Sequence, residues 1–393
     1  MRIPQYWLYI FLLATAGLFF FYQQNQPALS YDFAPQFDGN DYRAIHDYFV
    51  GNIPEYEVSF PFHSRILIPW LAAQLNTGNI ISDFQWINLG FSLLSVFMLF
   101  QLWRTLGFEL KWFVIGFGWL LFHWTGMIRL NAFDPITVDV PLFFFQALFI
   151  WLIFKRKFAW LLVLAPLATL QKESFIALLV ILAAYGWYHN RREQDAYFDL
   201  KWIFGGLALS ILIKVLVNYY FQPLEQIKGA IITLLYHAKE ALLHPFELVR
   251  WIIAAFVAFG PLLLAGIFRV VKRPYYDNRR NLLILFSGLY LAFGILAGGD
   301  MTRIIYLGFP FIATWLMYEF RELNSKTLWL MVCLSLPMTL LIKTIPDPAF
   351  EWERWQNWYP EFASVETIAY FGIYLVICIT AVTWHRKALS QSA

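Results

Sequence analysis

Apolar residues run through this chain in stretches about as long as a bilayer is thick, separated by short polar segments. An α-helix needs roughly twenty residues to cross the hydrocarbon core. On that measure the spans fall at 5–22, 84–103, 112–128, 137–154, 158–171, 174–188, 202–220, 251–270, 281–298, 304–320, 327–344 and 367–384. The fifth is short and reads as a tilted or partly inserted helix. The pattern predicts an all-α fold: a polytopic transmembrane helical protein of about 12 spans (11–13) in a single integral membrane domain over 1–393. Three connecting segments are long enough for structure of their own: 23–80, 221–250 and the Trp-rich 345–366. They predict short amphipathic interfacial helices in the outer loops.

Basic residues on short loops then orient the chain. With the N-terminus and C-terminus cytoplasmic and the spans alternating, 18 of the 29 Lys and Arg residues fall inside, and 19 of the 26 acidic residues fall outside. Lys214 alone of the basic residues lies well within a span. The first segment also loosely resembles a signal peptide, with Arg2, an apolar run and Ala28-Leu29-Ser30. The length and Phe/Tyr content of that run favour a retained helix, and cleavage would leave every other span oriented as before.

Composition leaves little room for anything else. Of 393 residues 60% are hydrophobic and 14% charged, with a mean hydropathy of +0.56. No loop is long enough for an independent soluble domain. A net charge of +3 and the lack of a basic block exclude nucleic acid as a partner. Cys333 and Cys378 sit in apolar runs and read as packing residues, not as a disulfide or metal pair. Aromatics reach 20%, part of them an interfacial belt, the rest available to line a cavity against sugar rings or lipid chains.

The charges that remain near the spans gather at their outer ends. Each costs roughly 2.5–3.5 kcal/mol at membrane depth on insertion scales, so a set on one side predicts a polar site there. Asp38-Gly39-Asn40-Asp41 presents two carboxylates around a turn signal. One of them is a candidate general base for an acceptor hydroxyl; the alternative is a plain cap by Asp38 or Asn40 of a helix starting near Tyr42. Phe62-His63-Ser64-Arg65-Ile66 looks like part of an amphipathic interfacial helix whose Arg65 suits a phosphate. Otherwise Arg65 snorkels to headgroups. Asp134 precedes Pro135, a helix-start signal, while Asp139 opens an uninterrupted apolar run and must face protein or a wet cavity. Lys172 and Glu173 occupy a very short outer hairpin, with Asp139 and Arg65 as plausible partners. Asp300 and Arg303, three apart, share a helix face, either as an ion pair or as a phosphate clamp. His237 and His244 lack a third ligand at metal spacing, so no metal site is assigned. Trp352, Trp355 and Trp358 read as an interfacial anchor, with a sugar-stacking lid as the alternative.

Asp38-Gly-Asn-Asp41-Tyr in a long first outer loop, Pro61-Phe62-His-Ser-Arg65 with Leu67-Ile-Pro69, Lys172-Glu173 and Gly-Asp300-Met-Thr-Arg303 together resemble bacterial multispanning glycosyltransferases of the C-type fold (GT-C). The resemblance implies transfer of a sugar from a polyprenyl-phosphate donor to a glycan, lipid or protein acceptor at the outer face of the cytoplasmic membrane. It implies Asp41 or Asp38 as catalytic base, with His63, Arg65, Asp134, Asp139, Lys172, Glu173, Asp300 and Arg303 around the substrates. The chain departs from the best-known members in lacking a sizeable soluble C-terminal domain and a clear acidic pair for a divalent metal, so no cofactor is assigned. Two other functions compete: a polysaccharide polymerase, distinguished by a product ladder, and a transporter or flippase of lipid-linked sugars, distinguished by uptake without a covalent product.

Overall fold

The computed structural model describes residues 3–34, 36–193, 197–224, 230–272 and 277–391, with the side chains of 230, 231, 272 and 385–391 outside that description. Arg2 and Arg273, the side chains of Lys272, Arg386 and Lys387, and positions 225–229 of the outer segment 221–250 therefore lie outside the described residues. All regular structure among the described residues is helical. In chain order the helices are α1 (Tyr6–Asn25), α2 (Gly39–Val50), α3 (Leu67–Leu75), α4 (Ile80–Thr105), α5 (Leu110–Phe122), α6 (Arg129–Phe133), α7 (Asp139–Phe154), α8 (Leu161–Gln171) and α9 (Phe175–Arg192). There follow α10 (Leu200–Tyr220), α11 (Ala230–Leu243), α12 (Phe246–Lys272), α13 (Asn278–Leu296), α14 (Met301–Leu307), α15 (Phe309–Phe320), α16 (Ser325–Ser335), α17 (Trp352–Gln356) and α18 (Val365–Gln391).

Six of these, α1, α4, α10, α12, α13 and α18, are long and apolar enough to cross a membrane. Helices α5, α7 and α8 are apolar but shorter. Elements of this length and apolarity, with their backbone groups satisfied internally, are those of a membrane-embedded helical protein.

Four expected spans are not continuous helices, and one of them, 112–128, is helical only as far as Phe122 in α5. The stretch 304–320 is divided between α14 and α15 at Gly308. The stretch 327–344 is helical only as far as Thr339, where a 3-10 turn ends at Leu340 in a left-handed conformation (φ 48°). Arg129 supplies the reason. Its guanidinium donates to the carbonyls of Thr339 (2.6 Å), Leu340 (3.0 Å) and Lys343 (2.6 Å), and to that of Phe122 (3.1 Å). Carbonyls freed by the break are thus paired inside protein, the condition under which irregular backbone is tolerated at membrane depth. Helix α12 is also broken, at Gly260–Pro261. Gly260 has φ 65°, and a Cβ there would collide with Ser335, so only glycine fits.

The chain forms two compact units: residues 1–107 with 130–228, and 108–129 with 229–393. In the first, α4 packs on α1 and α7, α8 lies against α7, α9 and α10, and α3 packs against α2, α4 and α8. The three-residue connection between α8 and α9 forces them into an antiparallel hairpin and leaves Lys172 and Glu173 at its tip. In the second, α12 contacts α14, α15, α16 and α18, and α13 packs on α14 and α15. Asp277 caps α13 by accepting from the amides of Arg279 (2.7 Å) and Arg280 (3.1 Å). The Arg280 side chain pairs with buried Glu319 at 2.7 Å.

Candidate functional site

In the first unit, charges far apart in sequence converge where α2, the loop before α3, the α8–α9 hairpin, the start of α7 and the later turns of α10 meet. Helix α2 begins at Gly39, not near Tyr42. Asp38 occupies the N-cap position but makes no side-chain cap. The Asn40 amide instead donates back to the carbonyl of Ala34 (3.0 Å), so neither residue is explained by capping. Asp41 stands in the first turn, where the helix dipole favours negative charge. One of its oxygens accepts from the Ser59 amide at 2.8 Å. Burial pushes its carboxyl above the ordinary range, and the Ser59 hydrogen bond opposes this only in part.

Arg65 is not on an amphipathic helix. It ends the 3-10 turn Phe62–Ser64, and α3 starts two residues later, so the residue is turned inward and is buried instead of snorkelling. Its Nε and one Nη donate to the two carboxylate oxygens of Glu173 at 3.1 and 2.7 Å, a bidentate fork. The other Nη donates to the Tyr42 hydroxyl at 3.0 Å. Burial alone would raise the Glu173 carboxyl, but the charge and hydrogen bonds of Arg65 hold it down at about 2.

Beside this pair, Lys172 meets Asp139 at 2.7 Å. Asp139 is the first residue of α7, so the ion pair ties the hairpin tip to the start of a neighbouring helix. Lys214, from α10, donates to the Ser64 hydroxyl, and its charge is felt at Glu173 and His63. His63 is buried, with Nε2 against Asn218 Oδ1 at 3.1 Å and Nδ1 without a hydrogen-bond partner. Burial, then Lys214, lowers its pKa, which keeps the ring neutral.

Asp134 has a different task. It follows α6 instead of starting a helix, and α7 begins five residues later. The Tyr31 hydroxyl donates to its carboxylate at 2.6 Å and accepts from the Ile136 amide at 2.9 Å. Asn88 donates to the Pro135 carbonyl at 3.1 Å. These bonds strap the segment between the helices, and they explain why the Asp-Pro signal did not open one.

In the second unit, Asp300 and Arg303 form a mutual ion pair at 2.9 Å. Glu361, from the Trp-rich segment, accepts from the amide and the hydroxyl of Thr302, both at 3.1 Å. Burial, helped by nearby Asp300, raises its carboxyl to about 8, so it carries a proton at neutral pH. Of the three spaced tryptophans, Trp352 is exposed, but Trp355 and Trp358 are buried, so only the first stands where an anchor needs to be.

Tyr42, Lys214 and Glu361 were not singled out as site residues from sequence. A lysine in a helix as apolar as α10 was the available signal for Lys214. Glu361 lies between Pro360 and Phe362, with nothing nearby to mark it. Among the described residues no group of three His, Cys, Asp or Glu side chains is placed to hold a metal ion. No family model matches the chain, and neither a curated protein nor a solved structure proves similar to it.

Proposed function

We propose that this chain is a membrane glycosyltransferase of the C-type fold, moving a sugar from a polyprenyl-phosphate donor to a cell-surface glycan, lipid or protein acceptor. In this reading it spans the cytoplasmic membrane about a dozen times, with both termini cytoplasmic. The active face is extracytoplasmic. The observation that carries the proposal is the assembly, within one unit, of an acidic helix start (Asp38, Asp41) with three cations on separate elements, Arg65, Lys172 and Lys214.

Asp41 takes the proton from the acceptor hydroxyl, and the raised pKa brings its basicity closer to that needed for the task. The acceptor oxygen bonds to the anomeric carbon as the bond from that carbon to the phosphate oxygen breaks. Negative charge then grows on the departing lipid phosphate. Arg65, Lys172 and Lys214 stabilise it there, with Glu173 and Asp139 holding the first two cations in place beforehand. Tyr42, next to Asp41 in α2 and hydrogen-bonded to Arg65, couples the base to the cations.

Asp41→Asn, which retains an acceptor oxygen for the Ser59 amide, tests this. Transfer from a radiolabelled lipid-linked sugar should fall by about 10²–10⁴-fold while the melting temperature stays near that of the parent chain. Full activity in Asp41→Asn and in the Asp38→Asn/Asp41→Asn double variant would remove the assignment. A second reading, movement of a lipid-linked sugar without chemistry, draws on the broken helix α12, a feature frequent in transporters. Uptake into liposomes with no covalent product would favour it.

A further inference from the structure

The first unit holds a second polar feature, at the end of α7 remote from Asp139. Sixteen residues of helix at 1.5 Å each put it about 24 Å from the carboxylate cluster. A cavity of about 440 Å³ opens there, lined by Arg156, Lys157, Phe158, Trp160, Tyr197 and Trp202 among others. We infer that this cavity is a binding site for a phosphate-bearing anion, with an anionic phospholipid headgroup as the favoured source.

Three observations carry this. First, the two cations lie against rings, Lys157 over Trp151 at 5.3 Å from its centroid. Neither Arg156 nor Lys157 makes an ion pair with a carboxylate among the described residues. Arg156 stacks its guanidinium on the Tyr197 ring, 4.0 Å from the centroid, which leaves the edges of its fork available. The one carboxylate lining the cavity, Asp199, lies 3.9 Å from the Lys201 ammonium, which offsets its charge.

Second, the backbone there is chosen against ease. The Lys157 amide bonds to the Leu152 carbonyl (2.8 Å) and the Arg156 amide to that of Ile153 (3.0 Å), the paired pattern that closes a helix with a left-handed residue. That residue is normally glycine, yet here it is Arg156, at φ 54°. A guanidinium thus stands at a position whose backbone favours glycine.

Third, the next helical segment begins immediately, at Phe158. Phe158, Ala159 and Trp160 of that turn line the cavity. Trp160 is 61% exposed, and a tryptophan at a basic cavity's rim is the arrangement of a headgroup-level contact. Free inorganic phosphate shares the chemistry but has no use for that exposed indole.

The inference needs a membrane protein but not glycosyl transfer, so it stands or falls separately from the transfer assay. The test is thermal unfolding of the full chain in mixed micelles containing phosphatidylglycerol, phosphatidylcholine or neither, with inorganic phosphate as a further arm. Phosphatidylglycerol should raise the melting temperature by several degrees and phosphatidylcholine should not. In Arg156→Gly/Lys157→Ala the apparent affinity should weaken at least tenfold, and added salt should weaken it in the parent chain. Glycine suits the left-handed position, so that variant keeps the local fold, and Lys157→Gln alone should give an intermediate loss. An equal response to inorganic phosphate, lost in the same variants, would identify the free anion as the ligand. A phosphatidylglycerol response unchanged in the double variant, or none in the parent chain, would overturn the inference.

Discussion

Two buried arginines, one in each unit, spend their hydrogen bonds on opposite kinds of partner. Arg129 gives its donors to four main-chain carbonyls, which have fixed charge and fixed place. Arg65 gives its donors to Glu173 and Tyr42, side chains that can move and, in the case of the carboxylate, change charge. The first arrangement stabilises a broken stretch of helix. The second belongs to the same cluster as Asp41, Lys172 and Lys214. Both guanidiniums are buried, and the nature of their partners is what differs.

Substitution should separate them further. Arg129→Ala removes donors from four carbonyls, of which only that of Leu340 keeps another among the described residues, the Lys343 amide, and should destabilise the fold by more than about 3 kcal/mol, seen as loss of a cooperative melt in detergent. Arg65→Ala strands a largely buried carboxylate and should cost about 3 kcal/mol or somewhat less, since Glu173 keeps some contact with solvent. Adding Glu173→Gln removes the stranded charge and should return most of that loss. A double-mutant cycle in melting temperature measures the coupling. If Arg129→Ala proves harmless, or if Glu173→Gln fails to rescue Arg65→Ala, the distinction collapses.

A smaller effect concerns pH. Glu361, held protonated in the folded chain up to about 8, ordinarily titrates near 4.5. Its folded pKa is raised, so the folded state binds the proton more tightly than the unfolded one. The stability it confers is full below about 4.5 and drains away as pH rises toward 8. Glu361→Gln should flatten that decline, read as melting temperature at several pH values between 5 and 9. An unchanged slope would show that another group is responsible. The smallest expected effect is Trp352→Ala, whose exposed ring should change stability by less than about 0.5 kcal/mol.

Much of this was legible from the residue pattern, and the failures have local causes. Apolar length located the long helices to within a few residues, and the partners of Lys172 and Glu173 followed from how few cations and carboxylates lie near that end of the apolar runs. The break after Thr339 was not legible, because its cause is Arg129, some two hundred positions away. Arg65 was placed on a helix because Ile66, Leu67 and Ile68 continue the apolar rhythm, although the chain turns once more before coiling. Lys214 was seen as a charge within a span, but the pattern along one helix says nothing of the serine opposite it.

The central claim is that the Arg65 cluster serves substrate and not only the fold. The Arg65→Ala/Glu173→Gln chain tests it most directly, with melting temperature and sugar transfer from a lipid-linked donor measured on one preparation. The account predicts a protein that melts within a few degrees of its parent and transfers little or no sugar. A double variant that is both stable and fully active would contradict it.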